Sequence, residues 1–145
     1  MKTAIFAALA LLPLVAETIA NAAPIDTTWR DARDFDIEGQ GWSDTESPYD
    51  RFPTRAKGQV PDPVWNLSHH SAGIAVRFNT DAKTVFVRWS LVSEALDMPH
   101  MPATGVSGVD LYVRDHKREW RFVGNGRPAA QKDNESKFSV PAGVS

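Results

Sequence analysis

The residues that could do chemistry cluster between positions 98 and 112. The stretch begins with Met98-Pro99-His100-Met101-Pro102, a proline-punctuated loop that carries one imidazole between two thioethers. It continues with Gly108-Val109-Asp110-Leu111-Tyr112, which opens a predicted β-strand and adds a carboxylate and a phenol. Imidazole, carboxylate and phenol are groups that enzymes use to move protons. These side chains are therefore candidate contacts to a substrate or to a neighbouring domain: Met98, His100, Met101, Asp110 and Tyr112.

The sequence has none of the patterns that ester hydrolases use to hold a serine nucleophile. It contains neither a Gly-x-Ser-x-Gly elbow nor a Gly-Asp-Ser block. The nearest approach is Gly105-Val106-Ser107-Gly108, in which Ser107 precedes a strand instead of lying between a strand and a helix. The chain also has no cysteine, which excludes a thiol nucleophile. We therefore predict no catalytic residue in this chain.

No set of residues has the spacing of a metal or phosphate site. His69 and His70 are adjacent, so on a strand they would point to opposite faces. The other two histidines are isolated, and a site built from Asp36, Asp110 and one histidine would need contacts that the sequence does not reveal. The Gly-x-Gly segments at 39–41 and 124–126 lack a third glycine and are typical of turns. We predict no metal and no cofactor.

The five tryptophans could provide flat apolar faces for sugar rings. Trp42 and Trp65 lie in loop-rich sequence, where binding residues are usually exposed, and both are candidate contacts. Core packing is the favoured interpretation even for these two, because large aromatic side chains dominate core energetics. Trp89 and Trp120 fall on the inward register of predicted strands and are assigned to the core.

The elements that must position these residues are mainly β-strands. Residues 24–66 are rich in turns, and alternation with a period of two begins at residue 73. A hairpin is predicted from Ile74–Phe78 and Val85–Leu91, followed by a strand at Val109–Arg114. A fourth strand starts at Trp120 and is closed by a turn at 124–126, and another begins near Lys137. Short strands at this spacing predict an all-β sandwich.

The same alternation places Asp110 and Tyr112 on the outward face of their strand. Arg77 and Arg88 also occupy the outward register of their own strands. A cross-strand pair between the Asp110 carboxylate and a guanidinium group is therefore expected, and it would fix the register of the sheet.

The N-terminus has the pattern of a secretory signal peptide. Lys2 is followed by an apolar stretch from Ala4 to Ala16 and by the small-residue motif Ala20-Asn21-Ala22. The apolar stretch is shorter than the about 20 residues that span a bilayer. We predict that residues 1–22 are removed, that the protein is secreted or periplasmic, and that no membrane association remains.

The remaining chain is long enough for one domain. Residues 24–128 are assigned to it, and residues 129–145 to a partial strand and tail, expected to be truncated. The chain carries a net charge of −2, which provides no long-range field for nucleic acid. Without cysteine, the domain must be held by its core alone.

An ordered series of sequence blocks resembles the N-terminal domain of SGNH-hydrolase-type esterases. The name-giving motif is Gly-x-Asp-Leu-Tyr, here Gly108–Tyr112, and the similarity covers residues 35–128. It is carried by Trp65–Ser68, Ser71–Gly73, Val76–Phe78, Val87–Trp89, Met98–Gly105 and Ser107–Tyr112. The resemblance implies a β-sandwich of jelly-roll type, followed by an α/β domain that holds the catalytic Ser, Asp and His. That domain's Gly-Asp-Ser and Asp-x-x-His blocks have no counterpart here, so no catalytic residue is carried over.

Three functions follow from these observations. The first is an accessory domain of a secreted esterase that docks on the catalytic domain and shapes its cleft through Met98–Pro102. The implied substrate is an ester, with an acyl group on a carbohydrate as a candidate. The alternative is a free-standing carbohydrate-binding module, which would use the tryptophans. The third is a purely structural domain.

Overall fold

The computed structural model describes residues 27–144, so the predicted signal peptide lies outside the described residues. Within this range the chain forms short strands, two short helices and single 3-10 turns at Ala32–Asp34 and Thr54–Ala56. The prediction of a β-rich fold is confirmed, whereas the jelly-roll arrangement remains a prediction. The strands and helices are β1 (Asp36–Glu38), α1 (Asp62–Ser68), β2 (Ala75–Arg77), β3 (Thr84–Trp89), α2 (Ala103–Ser107), β4 (Val109–Arg114), β5 (Trp120–Gly126) and β6 (Asn134–Ser139).

The strands pair as three antiparallel ladders, β1–β2, β3–β6 and β4–β5. The predicted hairpin between β2 and β3 is wrong, although both strands exist. β3 instead pairs with β6 along its whole length, from Thr84 opposite Ser139 to Trp89 opposite Asn134. Alternation identifies which side chains share a face, but it carries no information about the partner strand.

The β4–β5 hairpin confirms the predictions of a strand at 109–114 and of another that starts at Trp120. The turn closes with a hydrogen bond from the backbone N–H of Asp115 to the carbonyl of Glu119 at 3.0 Å. Arg118 adopts a left-handed conformation there, with φ of 66°. A β-bulge interrupts the register between Leu111 and Tyr112.

The glycines at 124 and 126 belong to β5 and do not form the predicted turn. A Cβ at Gly126 would lie 2.6 Å from Oγ of Ser136, and one at Gly124 would lie 3.3 Å from the ring of Phe138. β5 therefore needs glycine because β6 packs directly against it. Phe138 is buried at this contact, which is one centre of the core.

A second packed centre lies around α1. Proline in the first turn of this helix suits a position whose N–H has no helical partner. The helix buries Trp65 and Ser68, so Trp65 lies on a helix and in the core. Next to it, Nδ1 of His69 lies 3.0 Å from the carboxylate of Asp50, which is itself buried. This pair ties the loop that precedes α1 to the end of the helix.

Candidate functional site

The Gly-x-Asp-Leu-Tyr motif begins at a point where three segments crowd together. A Cβ at Gly108 would lie 2.4 Å from the carbonyl oxygen of Thr104 and 2.8 Å from that of Gly126. Both neighbours are backbone atoms, so neither can move aside cheaply. Glycine at this position lets the end of α2 and the end of β5 approach the start of β4.

The aspartate of the motif has a different partner from the one predicted. The side-chain amide of Asn125 donates a hydrogen bond to the carboxylate of Asp110 at 2.5 Å, and Asn125 stands opposite Asp110 in the ladder. The two arginines expected to pair with Asp110 bind other carboxylates, Arg77 with Glu38 and Arg88 with Glu135. The prediction of an Asp110–arginine pair is wrong because each arginine has a carboxylate on its own paired strand.

The β-bulge decides which residues share the outward face with Asp110. Leu111 lies opposite Gly124 and Tyr112 opposite Phe122, so Val123 has no residue opposite it. The extra residue shifts the alternation by one. Asn125 and Phe122 therefore reach the same face although they are three residues apart.

Three aromatic side chains on this face form what we call the aromatic ladder: Tyr112, Trp120 and Phe122. Their exposed fractions are 49, 50 and 58%. The rings of Tyr112 and Phe122 meet edge to face, with 5.4 Å between centroids. The assignment of Trp120 to the core is thus wrong, whereas the outward orientation of Tyr112 is confirmed.

Positive charge borders one end of the aromatic ladder. The guanidinium groups of Arg114 and Arg77 lie 5.1 and 5.7 Å from the ring centroid of Trp120. Nε of Arg114 is buried without a hydrogen-bond partner. The face thus combines exposed aromatic rings with a cationic margin.

The loop that carries His100 is a tight turn, which we call the methionine turn (Met98–Met101). The backbone N–H of Met98 donates to the carbonyl of Met101 at 3.0 Å, and that of Met101 donates back at 3.1 Å. Pro99 and His100 form the tip between them. Both thioethers are exposed, 49% for Met98 and 38% for Met101, and so is His100.

The methionine turn is fixed to the motif through α2. The Met101 side chain packs on Gly105, where a Cβ would lie 3.2 Å from Cγ of Met101. The end of α2 is held by Trp89, whose indole N–H donates to the carbonyl of Ser107 at 3.1 Å. Ser107 is thus the last residue of a helix that precedes a strand, the reverse of the order in a nucleophile elbow.

The remaining candidate, Trp42, lies in the segment between β1 and α1. It is 42% exposed and its ring meets that of Phe52 edge to face at 6.1 Å. The core interpretation therefore holds for Trp65, which is 8% exposed, and fails for Trp42.

A carboxylate organises the turn next to the aromatic ladder. The hydrogen bond from the backbone N–H of Glu119, together with those from Arg121 and Lys117, lowers the pKa of Asp115 below its ordinary value. The ionised Asp115 is therefore part of the turn's structure.

The described residues form neither a cluster of conventional metal ligands nor a membrane-spanning helix. Among residues 27–144, no group of three or more histidine, aspartate or glutamate residues could hold a metal ion. In the same range, no helix has the length and apolar character needed to cross a membrane.

A family of known proteins matches most of the chain. A family model described as GxDLY, the N-terminus of Esterase_SGNH_hydro-type, matches residues 27–142. Neither a curated protein nor a solved structure matches the chain. The matched range extends past residue 128 and includes β6, which completes the ladder with β3.

Proposed function

From the premise that the chain belongs to the family of N-termini of SGNH-hydrolase-type esterases, we propose that it is a non-catalytic accessory domain of a secreted ester hydrolase of SGNH or GDSL type. It docks on a catalytic α/β domain of the same polypeptide and shapes one side of its cleft. The serine, histidine and aspartate that cleave the ester belong to that partner domain.

The exposed aromatic ladder carries this proposal. Its three rings stand on one face of the hairpin that contains the family's name-giving motif. Contiguous exposed apolar surface of this kind marks interaction sites. Covering the exposed half of three aromatic side chains contributes on the order of 5 kcal/mol. The partner surface is therefore apolar opposite Phe122 and Tyr112, and carries a carboxylate or carbonyl acceptor opposite Arg114.

The methionine turn is the part of the domain that we place at the cleft. Two hydrogen bonds hold it closed, and α2 fixes it to the motif, so His100 is presented on a rigid support. An exposed imidazole at the tip can donate to or accept from an ester or a sugar hydroxyl. We propose that the substrate is an acyl ester, with acylated carbohydrate as the candidate class.

The proposed place of action rests on the sequence features of residues 1–22. We propose that the protein is exported and that the mature domain is secreted or periplasmic. The basic residue, apolar stretch and small-residue motif support this.

The alternative of a free-standing carbohydrate-binding module has less support. A sugar platform needs an open aromatic face. Arginines lie over Trp120 and Trp29, with the Arg88 guanidinium 3.9 Å from the Trp29 centroid. Trp65 is buried and Trp89 is half-buried. Titration with polysaccharides, followed by tryptophan fluorescence, tests this alternative: a Trp42-dependent response would favour it over docking.

The esterase assay tests whether the chain itself is catalytic. We expect no serine-dependent hydrolysis of p-nitrophenyl acetate by this chain, and the same background rate for Ser107→Ala. A background rate that Ser107→Ala abolishes would overturn the proposal.

The docking proposal is tested in the longer polypeptide. The coding sequence past residue 145 should contain a Gly-Asp-Ser block followed by Asp-x-x-His. In that protein Phe122→Ser should lower the thermal midpoint of the catalytic domain, because it removes an apolar contact. Val92→Ser is the matched control, since Val92 is 69% exposed and lies outside the aromatic ladder. Equal effects of the two substitutions would contradict docking through this face.

His100→Ala separates a cleft role from a purely structural one. If the methionine turn lines the cleft, this substitution lowers kcat/KM of the longer enzyme and leaves its melting temperature unchanged. An unchanged kcat/KM would assign the domain a structural role only.

A further inference from the structure

The methionine turn has a chemistry of its own that docking does not use. We infer that it binds one soft monovalent cation, Cu(I) or Ag(I), through the sulfurs of Met98 and Met101 and the imidazole of His100. This departs from the sequence-based expectation of no metal, which considered histidine and carboxylate spacing alone.

The backbone of the turn places the two sulfurs on one side. Met98 and Met101 are opposite each other in an antiparallel bridge closed by both hydrogen bonds. Side chains of such a pair project from the same face, with about 5.5 Å between their Cα atoms. A methionine side chain has three rotatable bonds. Both thioethers can therefore converge on one ion without any change in the backbone.

All three ligand groups are available. The thioethers are exposed, and the His100 side chain is exposed and makes no hydrogen bond or ion pair within residues 27–144. No partner would have to be displaced before a metal binds. The exposed carboxylate of Asp97 precedes the turn and adds a negative charge beside it.

The donor set selects the metal. Thioether sulfur is a soft ligand that favours Cu(I), and imidazole suits copper as well. Zinc, calcium and magnesium sites use thiolates, several histidines or carboxylates, and the described range offers no such group. A site of two thioethers and one imidazole thus discriminates for soft monovalent ions.

The methionine count makes a direct experiment possible. The chain has three methionines, Met1, Met98 and Met101. The uncleaved precursor, which retains residues 1–22, should give one signal for each when it is labelled with ¹³C at the methionine methyl groups. With one equivalent of Ag(I), a redox-stable probe, we expect the signals of Met98 and Met101 to shift and that of Met1 to stay. One equivalent of Zn(II) should shift neither.

Substitutions test the three ligands and the geometry. Met98→Leu and Met101→Leu keep the apolar volume, and each should weaken Ag(I) binding by about tenfold or more, as should His100→Ala. Gly105→Ala adds a methyl group 3.2 Å from Cγ of Met101 and 3.4 Å from its sulfur, so it should also weaken binding. His116→Ala, which removes an exposed imidazole in the β4–β5 turn, is the control and should have no effect.

Two results would overturn the inference. One is that the two methyl signals stay in place at stoichiometric Ag(I). The other is that His116→Ala weakens binding as much as His100→Ala, which would indicate unspecific association with imidazoles. The measurement uses this chain without any catalytic domain, so its outcome is independent of the docking proposal.

Discussion

Gly108 shows how one residue of the motif fixes three segments. The carbonyls of Thr104 and Gly126 leave no room for a side chain at this position. Two residues further along the motif, the Asp110–Asn125 hydrogen bond joins β4 to β5. At the residue scale, the motif is therefore explained by close approach and by a strand-to-strand hydrogen bond, without any catalytic requirement.

Gly108→Ala should destabilise the domain by about 1–3 kcal/mol, the cost of forcing extra atoms into packed structure. Urea unfolding followed by tryptophan fluorescence measures this. Gly41→Ala is the control, because a Cβ there would meet nothing within 4 Å, and its effect should stay within about 0.5 kcal/mol. Equal destabilisation by the two substitutions would refute the steric explanation.

The sequence identifies part of this site for a physical reason. Alternation shows that Asp110 and Tyr112 share a face, because successive side chains of a strand point to opposite sides. The same alternation gives the wrong side for Trp120, because apolar residues at every second position mark the buried face only when the other face is polar. In this hairpin the outward face is aromatic as well. The residue types around Val123 also do not indicate the bulge that shifts the alternation there.

At the scale of elements, the sequence predicts strands better than their partners. β4 and β5 are both predicted as strands, and a short local turn joins them into a hairpin. β3 pairs with β6, which lies about 45 residues further along the chain. The position of β6 depends on its packing against β5, where Gly126 contacts Ser136. The residue pattern of each strand taken alone does not reveal this contact.

Arg118→Gly should stabilise the β4–β5 hairpin. Arg118 has a φ of 66°, a conformation that costs a residue with a Cβ about 1–2 kcal/mol. We expect a gain of about 0.5–1 kcal/mol after the higher entropy of unfolded glycine is counted. Lys117→Gly is the matched control: it lies in the same turn without a positive φ, and should destabilise. A loss of stability in both variants would contradict the strain argument.

Asp115 should make the hairpin sensitive to acid. Its pKa is lowered in the folded state by hydrogen bonds, first from the backbone N–H of Glu119. The stabilisation is therefore complete above the ordinary aspartate pKa of about 3.9, and is lost as the pH falls from there through the folded-state pKa. Asp115→Asn should flatten the pH dependence of the unfolding midpoint between pH 5 and the acid limit. An identical pH dependence in the variant would refute this assignment.

The part of the molecule that the structure describes, residues 27–144, packs around Trp65 and around Phe138. The aromatic ladder lies exposed on the outer face of the β4–β5 hairpin, next to the centre around Phe138. With so little core, the centre around Phe138 depends on β3, β5 and β6 together. The family match to residue 142 agrees with this, since it includes β6.

A chain that ends at residue 128 should fail to fold. It lacks β6, so β3 has no partner and Phe138 is missing from the core. A chain that ends at residue 142 is the control and should unfold cooperatively in urea. Near-ultraviolet circular dichroism distinguishes the two, and a native-like spectrum from the shorter chain would contradict the role assigned to β6.

The pairing of β3 with β6 also determines the order in which the strands can fold. When the chain is synthesised without export, translation adds about 5–20 residues per second, so β3 waits roughly 2–9 seconds after Trp89 is made before Asn134, its partner, exists. The hairpin of β4 and β5 needs only a local turn and can form during that delay. Until β6 arrives, the strand Thr84–Trp89, with its two valines, a phenylalanine and a tryptophan, presents unpaired backbone that other chains can join. The extent of aggregation therefore depends on whether β6 pairs with β3 before another chain does.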